Sequence, residues 1–179
     1  MLLFTGAMDY HANVDGVVWF SREILPRIQS QRPGTEFFIV GSNPGQEIRS
    51  LHNGNGITAT GFVDDMRPYY RMADVCVIPL RLARGVQNKV LEAMAMAKAV
   101  VATPQAIQGI SAKHGEHLLV ADDSNAFCHA IMGSLRDDTR RTEMGLRARE
   151  FVKANYDWNA TMSKLEVLLV ESTTGSRLP

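Results

Sequence analysis

Short apolar runs that stop at glycine or proline alternate along this chain with longer segments whose apolar residues recur every three or four positions. The first run, LLFTG (2–6), predicts a strand ending at Gly6. Residues 13–31 follow with Val14, Val17, Val18, Ile24, Leu25 and Ile28 near helical spacing. Asn13 is the expected N-cap of that helix, and Pro26 should kink or restart it. A second strand is expected at 35–41, a weak helix at 46–53 and a third strand at 56–61. The segment 64–73 predicts a short helix with Pro68 in its first turn, and 74–80 a fourth strand. Beyond it come a helix at about 88–97, strands at 99–104 and 116–122, and helices at 125–138, with Ser124 as cap, 139–156 and 157–172. The tail 173–179 reads as disordered.

Strands alternating with helices imply a parallel sheet covered on both faces, and right-handed crossovers make it a doubly wound, Rossmann-like α/β sandwich of six strands. In such sheets ligands sit outside the carboxyl ends of the strands, near the point where strand order reverses. Gly6, Gly41, Gly61 and Pro79 end four of the predicted strands on that edge, which makes it the place to look for function.

Composition narrows the classes. The 179 residues suit a single domain, and Lys+Arg and Asp+Glu balance at 19 each. Zero net charge argues against nucleic-acid binding, which needs clustered Lys and Arg, but permits a local basic pocket. Cys76 and Cys128 lie in a strand and a helix pattern without a CxxC, so both are expected to be reduced core residues. The opening MLLFTGAMDY lacks the features of a signal peptide, and no run reaches the ~20 apolar residues of a membrane span. A cytoplasmic location is expected.

The most informative stretch is ARGVQNKVLEAMAMAKAVVATP (83–104). Gly85 permits close approach of a ligand, and the helix opening behind it offers N–H groups and a partial positive charge suited to a phosphate. Lys89 in the first turn and Arg84 in the loop add full charges. Glu92, one turn beyond Asn88, can accept two hydrogen bonds from adjacent hydroxyls, as a carboxylate does for a ribose diol. The plainer alternative is that Lys89 and Glu92 form a solvated pair worth a few tenths of a kcal/mol. GVQNK lacks the P-loop arrangement and GSNPG (41–45) lacks GxGxxG, which counts against an NTPase or a dinucleotide enzyme.

NKVLEAMAMAKAVVATP resembles the signature of family 4 glycosyltransferases, retaining enzymes of the GT-B fold. LLFTGAMDYHANVDGVVWF, ATGFVDDMRPYYRMADVCVIPL and AREFVKANYDWNATMSKLEVLL resemble, in order, that family's opening strand and first helix, its glycine–aromatic–valine element and its closing helices. The similarity runs from residue 1 to about 170 and covers only the C-terminal, donor-binding half of such enzymes. It implies one nucleotide-sugar-binding domain (1–172) of a two-domain parent whose N-terminal acceptor domain is missing. The isolated domain is then expected to be nearly inactive. By resemblance, Glu92 binds ribose hydroxyls, the backbone at Phe62 and Val63 meets the nucleobase, Gly6 lies beneath the diphosphate, and Lys89 faces the phosphates. Asn88 helps hold phosphate or sugar, while Arg84 and Gly85 border the same mouth. No catalytic nucleophile or base, cofactor or metal is expected. Partners are a nucleotide sugar and no nucleic acid, with membrane association only for the parent.

Two positions depart from the family pattern. Arg84 stands where many members carry a second glutamate eight positions before the ribose-binding one. Ala7 follows Gly6, and Ala12 and Asn13 occupy the region of a diphosphate-binding lysine, so the first loop lacks its usual cations. Arg84 and Lys89 could replace that charge from the other side of the pocket. MDYHANVD and GVQNKVLEAMA together look most like transferases of exopolysaccharide assembly. Two other readings stay open: a sugar-nucleotide epimerase or hydrolase on the same architecture, and a non-catalytic interaction module that has lost the donor site. Outside this constellation, His11, the pair His114 and His117, and Asp64 with Asp65 read as loop or capping residues, and Trp158 as an anchor for the last helix.

Overall fold

Six short parallel strands form the sheet in the order β3-β2-β1-β4-β5-β6. The computed structural model describes residues 1–52 and 56–156. The strands are β1 Leu2–Thr5, β2 Phe37–Val40, β3 Ile57–Gly61, β4 Val75–Ile78, β5 Ala99–Ala102 and β6 Leu119–Val120. The helices are α1 His11–Trp19, α2 Leu25–Gln31, α3 Gln46–Leu51, α4 Arg67–Met72, α5 Asn88–Ala95, α6 Ser124–Arg136 and α7 Asp138–Tyr156. The expected α/β doubly wound sandwich is what the chain forms. β1 pairs with β2 on one side and β4 on the other, so strand order reverses at the β1–β4 boundary.

Alternation along β2 shows why helices cover both faces. Phe37 meets Phe20 of the first helical run at 4.7 Å between ring centroids, while its neighbour Phe38 meets Tyr69 of α4 at 6.4 Å on the opposite side. On the Phe37 side, Phe127 of α6 approaches Trp19 edge-on at 5.7 Å, joining α6 to the first helix. On the other side α5 packs against α7. β1 and β4, buried on both faces, are therefore continuous apolar runs rather than alternating ones.

Local differences from the sequence reading have identifiable causes. The first helix begins at His11, with Tyr10 as an extended N-cap residue that offers no side-chain hydrogen bond. Asn13 is not the cap. It lies inside the helix, 4% exposed, and turns its amide toward the sheet edge. Pro26 does restart the helix as expected: it sits in the first turn of α2, and residues Phe20–Ile24 widen into a π-turn that absorbs the missing N–H and the ring's clash with the preceding turn. Ser124 is also not a cap. Asp123 accepts from Asn125 N at 2.7 Å and Ala126 N at 2.8 Å, a carboxylate being the stronger acceptor at a helix N-terminus. Asp65 holds the start of α4, accepting from Arg67 N at 2.9 Å.

Cys76 and Cys128 are free and buried, and burial pushes the Cys76 thiol up to about 12. Among the described residues no helix is long and apolar enough to cross a membrane. The expected helix at 157–172, Trp158 and the tail lie outside the described residues.

The seat of α7 depends on one glycine. A Cβ on Gly145 would stand 2.1 Å from Ala97 O, at the turn where α5 leaves for β5. Gly→Ala inside a helix normally gains about 0.5–1 kcal/mol, but overpacking against backbone costs about 1–3 kcal/mol. Gly145→Ala is expected to lower the urea midpoint by roughly 1–2 kcal/mol of stability at unchanged m-value. An unchanged or higher midpoint would mean that α7 does not pack on that turn.

Candidate functional site

In an open α/β sheet the reversal of strand order marks a crevice at the carboxyl ends of the flanking strands; here it falls between β1 and β4, and the sequence places polar residues there from both sides. From β1 come Thr5 and Gly6. The amide of Gly6 donates to Val40 O at 3.0 Å and that of Met8 to Ser42 O at 2.7 Å, so the loop after β1 is tied to the end of β2. Asn13 closes the loop from α1 by donating through Nδ2 to Ala7 O at 2.8 Å.

From the β4 side comes α5. Its leading loop is fixed on α1: Arg81 Nε donates to Asp15 at 3.0 Å, and its guanidinium lies 5.6 Å from the Trp19 ring centroid. Gly85 has φ 69°, a left-handed conformation, and opens onto empty space. Gln87 precedes α5 in extended conformation without a side-chain cap, which leaves the helix mouth to face the crevice.

Lys89 spans the gap. Its Nζ donates to Asn13 Oδ1 and lies 4.7 Å from the centroid of the Phe4 ring. A Cβ on Gly6 would stand 2.9 Å from Lys89 Nζ and 2.8 Å from Asn13 Nδ2, so the amine touches the glycine loop itself. Burial pulls Lys89 down to about 8, with the charge of Glu92 opposing the shift. The residue as a whole is only part-buried; the packing is at its charged end.

Glu92, three residues on, lies on the exposed side of α5 and accepts a hydrogen bond from Tyr70 Oη at 3.2 Å. Tyr70 Oη is in turn 3.0 Å from Thr5 Oγ1, the last side chain of β1. The carboxylate is therefore held at the carboxyl rim of the sheet. Burial raises the Tyr70 hydroxyl well above its ordinary value, the Thr5 hydrogen bond lowering it and the Glu92 charge raising it further.

The structure thus brings Gly6, Lys89 and Glu92 together, joins Asn13 of the first-loop region to them, and adds Thr5 and Tyr70, which the sequence reading did not place there. Arg84 is exposed and borders an open hollow of about 350 Å³ with Tyr10, His11 and Leu82. Asn88 is exposed at the first position of α5. Phe62, 74% exposed, and part-buried Val63 follow β3, two strands from β1. No hydrogen bond or ion pair among the described residues joins Arg84, Phe62 or Val63 to the Lys89–Glu92 cluster. The place of Asn13 in the region of the family's first-loop lysine was the available signal for its role.

The other polar candidates serve the fold. His114 Nδ1 accepts from Val120 N at 2.9 Å, and His117 Nδ1 from Lys113 N at 3.1 Å while its ring stacks on Phe151 at 4.4 Å. No cluster of three or more His, Cys, Asp or Glu that could share a metal occurs among the described residues.

Comparison with known proteins identifies the family. The sequence pattern of the family described as glycosyl transferases group 1 matches residues 1–137. An uncharacterized 44.6 kDa protein in the cps region of Klebsiella pneumoniae is 25% identical over 172 residues, covering 92% of this chain and 44% of that protein. The GDP-mannose-dependent alpha-(1-6)-phosphatidylinositol monomannoside mannosyltransferase of Mycobacterium tuberculosis is 30% identical over 156 residues, 79% of this chain and 40% of that one. This chain therefore spans less than half the length of these relatives. The fold matches that of sucrose-phosphate synthase from Thermosynechococcus elongatus with a TM-score of 0.75 at 23% identity, over 98% of this chain and 46% of that one. With more than three quarters of its length inside the family pattern, the chain belongs to the group 1 glycosyl transferases.

Proposed function

We propose that this chain is the donor-binding half of a retaining glycosyltransferase, a domain that holds a nucleotide-diphosphate sugar while the sugar passes to an acceptor hydroxyl. The observation that carries the reading is Lys89 Nζ lodged between the Phe4 ring, Asn13 and the Gly6 loop, with Glu92 one turn further along the same helix. A cation and a carboxylate so spaced suit a diphosphate followed by a ribose diol. The family's first-loop cations are replaced at Ala7 and Asn13, and the reading assigns their role to Lys89, which reaches the same loop from across the crevice.

The chemistry follows from charge. Breaking the bond between sugar and diphosphate puts negative charge on the leaving phosphate. A fixed ammonium and the mouth of α5 would stabilise that charge as it grows, without reorganising. The diphosphate's charge is met by protein groups, so the reading calls for no metal. The acceptor and the rest of the catalytic apparatus would come from a second domain, and the exposed Tyr10, Leu82 and Val86 border the face that such a domain would cover. On this reading the isolated domain binds nucleotide weakly and transfers little. The cps-region relative and the mannosyltransferase relative support a place in the building of a cell-surface polysaccharide or glycolipid, and the GDP-mannose in the latter's name supports a nucleotide sugar as donor.

Calorimetric titration with GDP and UDP tests the site. Wild-type protein is expected to bind at least one, and Glu92→Ala to weaken it roughly tenfold, the loss of a charged hydrogen bond. Absence of heat from either nucleotide with the wild type would refute the donor site.

Protonation gives a second test. Affinity for the diphosphate should fall as pH rises from about 7 through the Lys89 value of about 8, because only the ammonium attracts phosphate. In Lys89→Met the profile should be flat across that range and the affinity lower throughout.

The same burial makes Lys89 costly to the fold. Its folded-state value lies below its unfolded one, so the penalty is fully present below pH 8 and fades as pH rises from about 8 toward the ordinary lysine range. Lys89→Met is accordingly expected to raise thermal stability at pH 7, by an amount on the order of 1–3 kcal/mol. A lower melting temperature would show that the amine stabilises the fold and is not held there against its solvation.

A further inference from the structure

We infer that Tyr70, backed by Thr5, is the positioning residue that fixes the Glu92 carboxylate, and that this contact gives the site its preference for ribonucleotides over 2′-deoxyribonucleotides. The inference rests on the donor-site reading above and adds the part of the molecule that would make it selective.

Glu92 sits on the exposed side of α5, where a glutamate with three rotatable bonds would ordinarily wander. Here it does not stand alone. Tyr70 is 4% exposed, and its hydroxyl reaches Glu92 Oε2 at 3.2 Å and Thr5 Oγ1 at 3.0 Å. The proton order follows from the partners. A carboxylate only accepts, so the Tyr70 O–H points at Glu92, and the Tyr70 oxygen accepts the Thr5 hydroxyl proton. Tyr70 stays a donor through the neutral range, since burial first, and the neighbouring carboxylate with it, hold its proton on.

One site on Oε2 is thereby occupied, and the carboxylate plane is fixed with its remaining acceptor positions free for a ligand. A vicinal diol presents two donors side by side, and a carboxylate can take both only if its two oxygens face them together. A fixed Glu92 distinguishes a ribose from a 2′-deoxyribose because one acceptor is left without a donor. A freely turning one re-solvates that oxygen and loses most of the difference. The anchor also ties ribose to phosphate recognition. Thr5 directly precedes Gly6, and Phe4 beneath it supports Lys89, so both ends of the proposed cradle hang on three consecutive residues, the last two of β1 and the glycine after them. Tyr70 itself comes from α4, on the crossover between β3 and β4, which makes the carboxylate's position a property of the sheet's topology rather than of α5 alone.

The test uses the 179-residue chain with GDP and UDP as probes, each against its 2′-deoxy form, and with inorganic pyrophosphate as a probe of the phosphate end. Wild type is expected to favour the ribonucleotide roughly tenfold. Tyr70→Phe should reduce that ratio to about twofold or less while leaving pyrophosphate affinity unchanged, a split that general loosening of the fold would not produce. Thr5→Ser, which keeps the hydroxyl, should retain the ratio, and Thr5→Val should lower it; this pair decides the matter if Tyr70→Phe folds poorly. An undiminished ratio in both Tyr70→Phe and Thr5→Val would overturn the positioning role and leave the donor site standing. Nucleotide binding by the wild type with no ribose preference would overturn it as well. No binding of either nucleotide by the wild type would overturn the donor site and this inference together.

Discussion

An ammonium group packed at the end of a parallel sheet is the constraint around which this molecule is arranged. Lys89 leaves the first turn of α5, crosses the crevice and comes to rest over the Phe4 ring with its proton donated to Asn13. Burial disfavours its charge, and the ring face and the amide oxygen offset only part of that cost. Its surroundings are accordingly specific. Gly6 must lack a side chain for the amine to reach the loop, and Asn13 must be drawn into the helix rather than left at its cap. A cation kept in such a place at a cost to stability is the feature on which the proposed anion site rests.

The sheet makes that arrangement possible. β1 and β4 are neighbours although two strands separate them in sequence, and their following loops diverge to opposite faces. The diverging loops leave a crevice bounded by the Gly6 turn on one side and the mouth of α5 on the other. Lys89 and Glu92, three apart on one helix, then project toward two points at the end of the same strand: the amine beside Gly6 and the carboxylate, through Tyr70, beside Thr5. Aromatic contacts on both faces of β2 hold the layers that carry these elements.

Within the site, the residues legible from sequence were those whose chemistry is unusual for their surroundings. A lysine and a glutamate at the start of a helix behind a glycine are conspicuous, and Gly6 at a strand end is likewise. Arg84 was equally conspicuous, and it borders a hollow with Tyr10 and His11; loop residues are aimed by their backbone, and spacing does not reveal that direction. Thr5 and Tyr70 were invisible for the opposite reason. A threonine ending an apolar strand and a tyrosine in a short helix look like ordinary packing residues until their hydroxyls are found facing each other. Asn13 was misassigned because a cap and a buried amide near a helix start have the same local sequence; only the carbonyl of Ala7 and the amine of Lys89 distinguish them.

The sequence by itself determined the alternation of strands and helices and the six-stranded parallel sheet. Those follow from hydrophobic period and turn chemistry, which act over a few residues at a time. The family was legible for the same reason, since its signature is a continuous run on one loop, helix and strand. Only the tertiary structure decided which cation enters the first loop, which side chains hold the carboxylate, and where the first helix begins. The contacts of that cation and that carboxylate join groups 22 to 76 positions apart. Strand order brings them together, and no local pattern encodes a contact between elements that become neighbours only when the sheet closes.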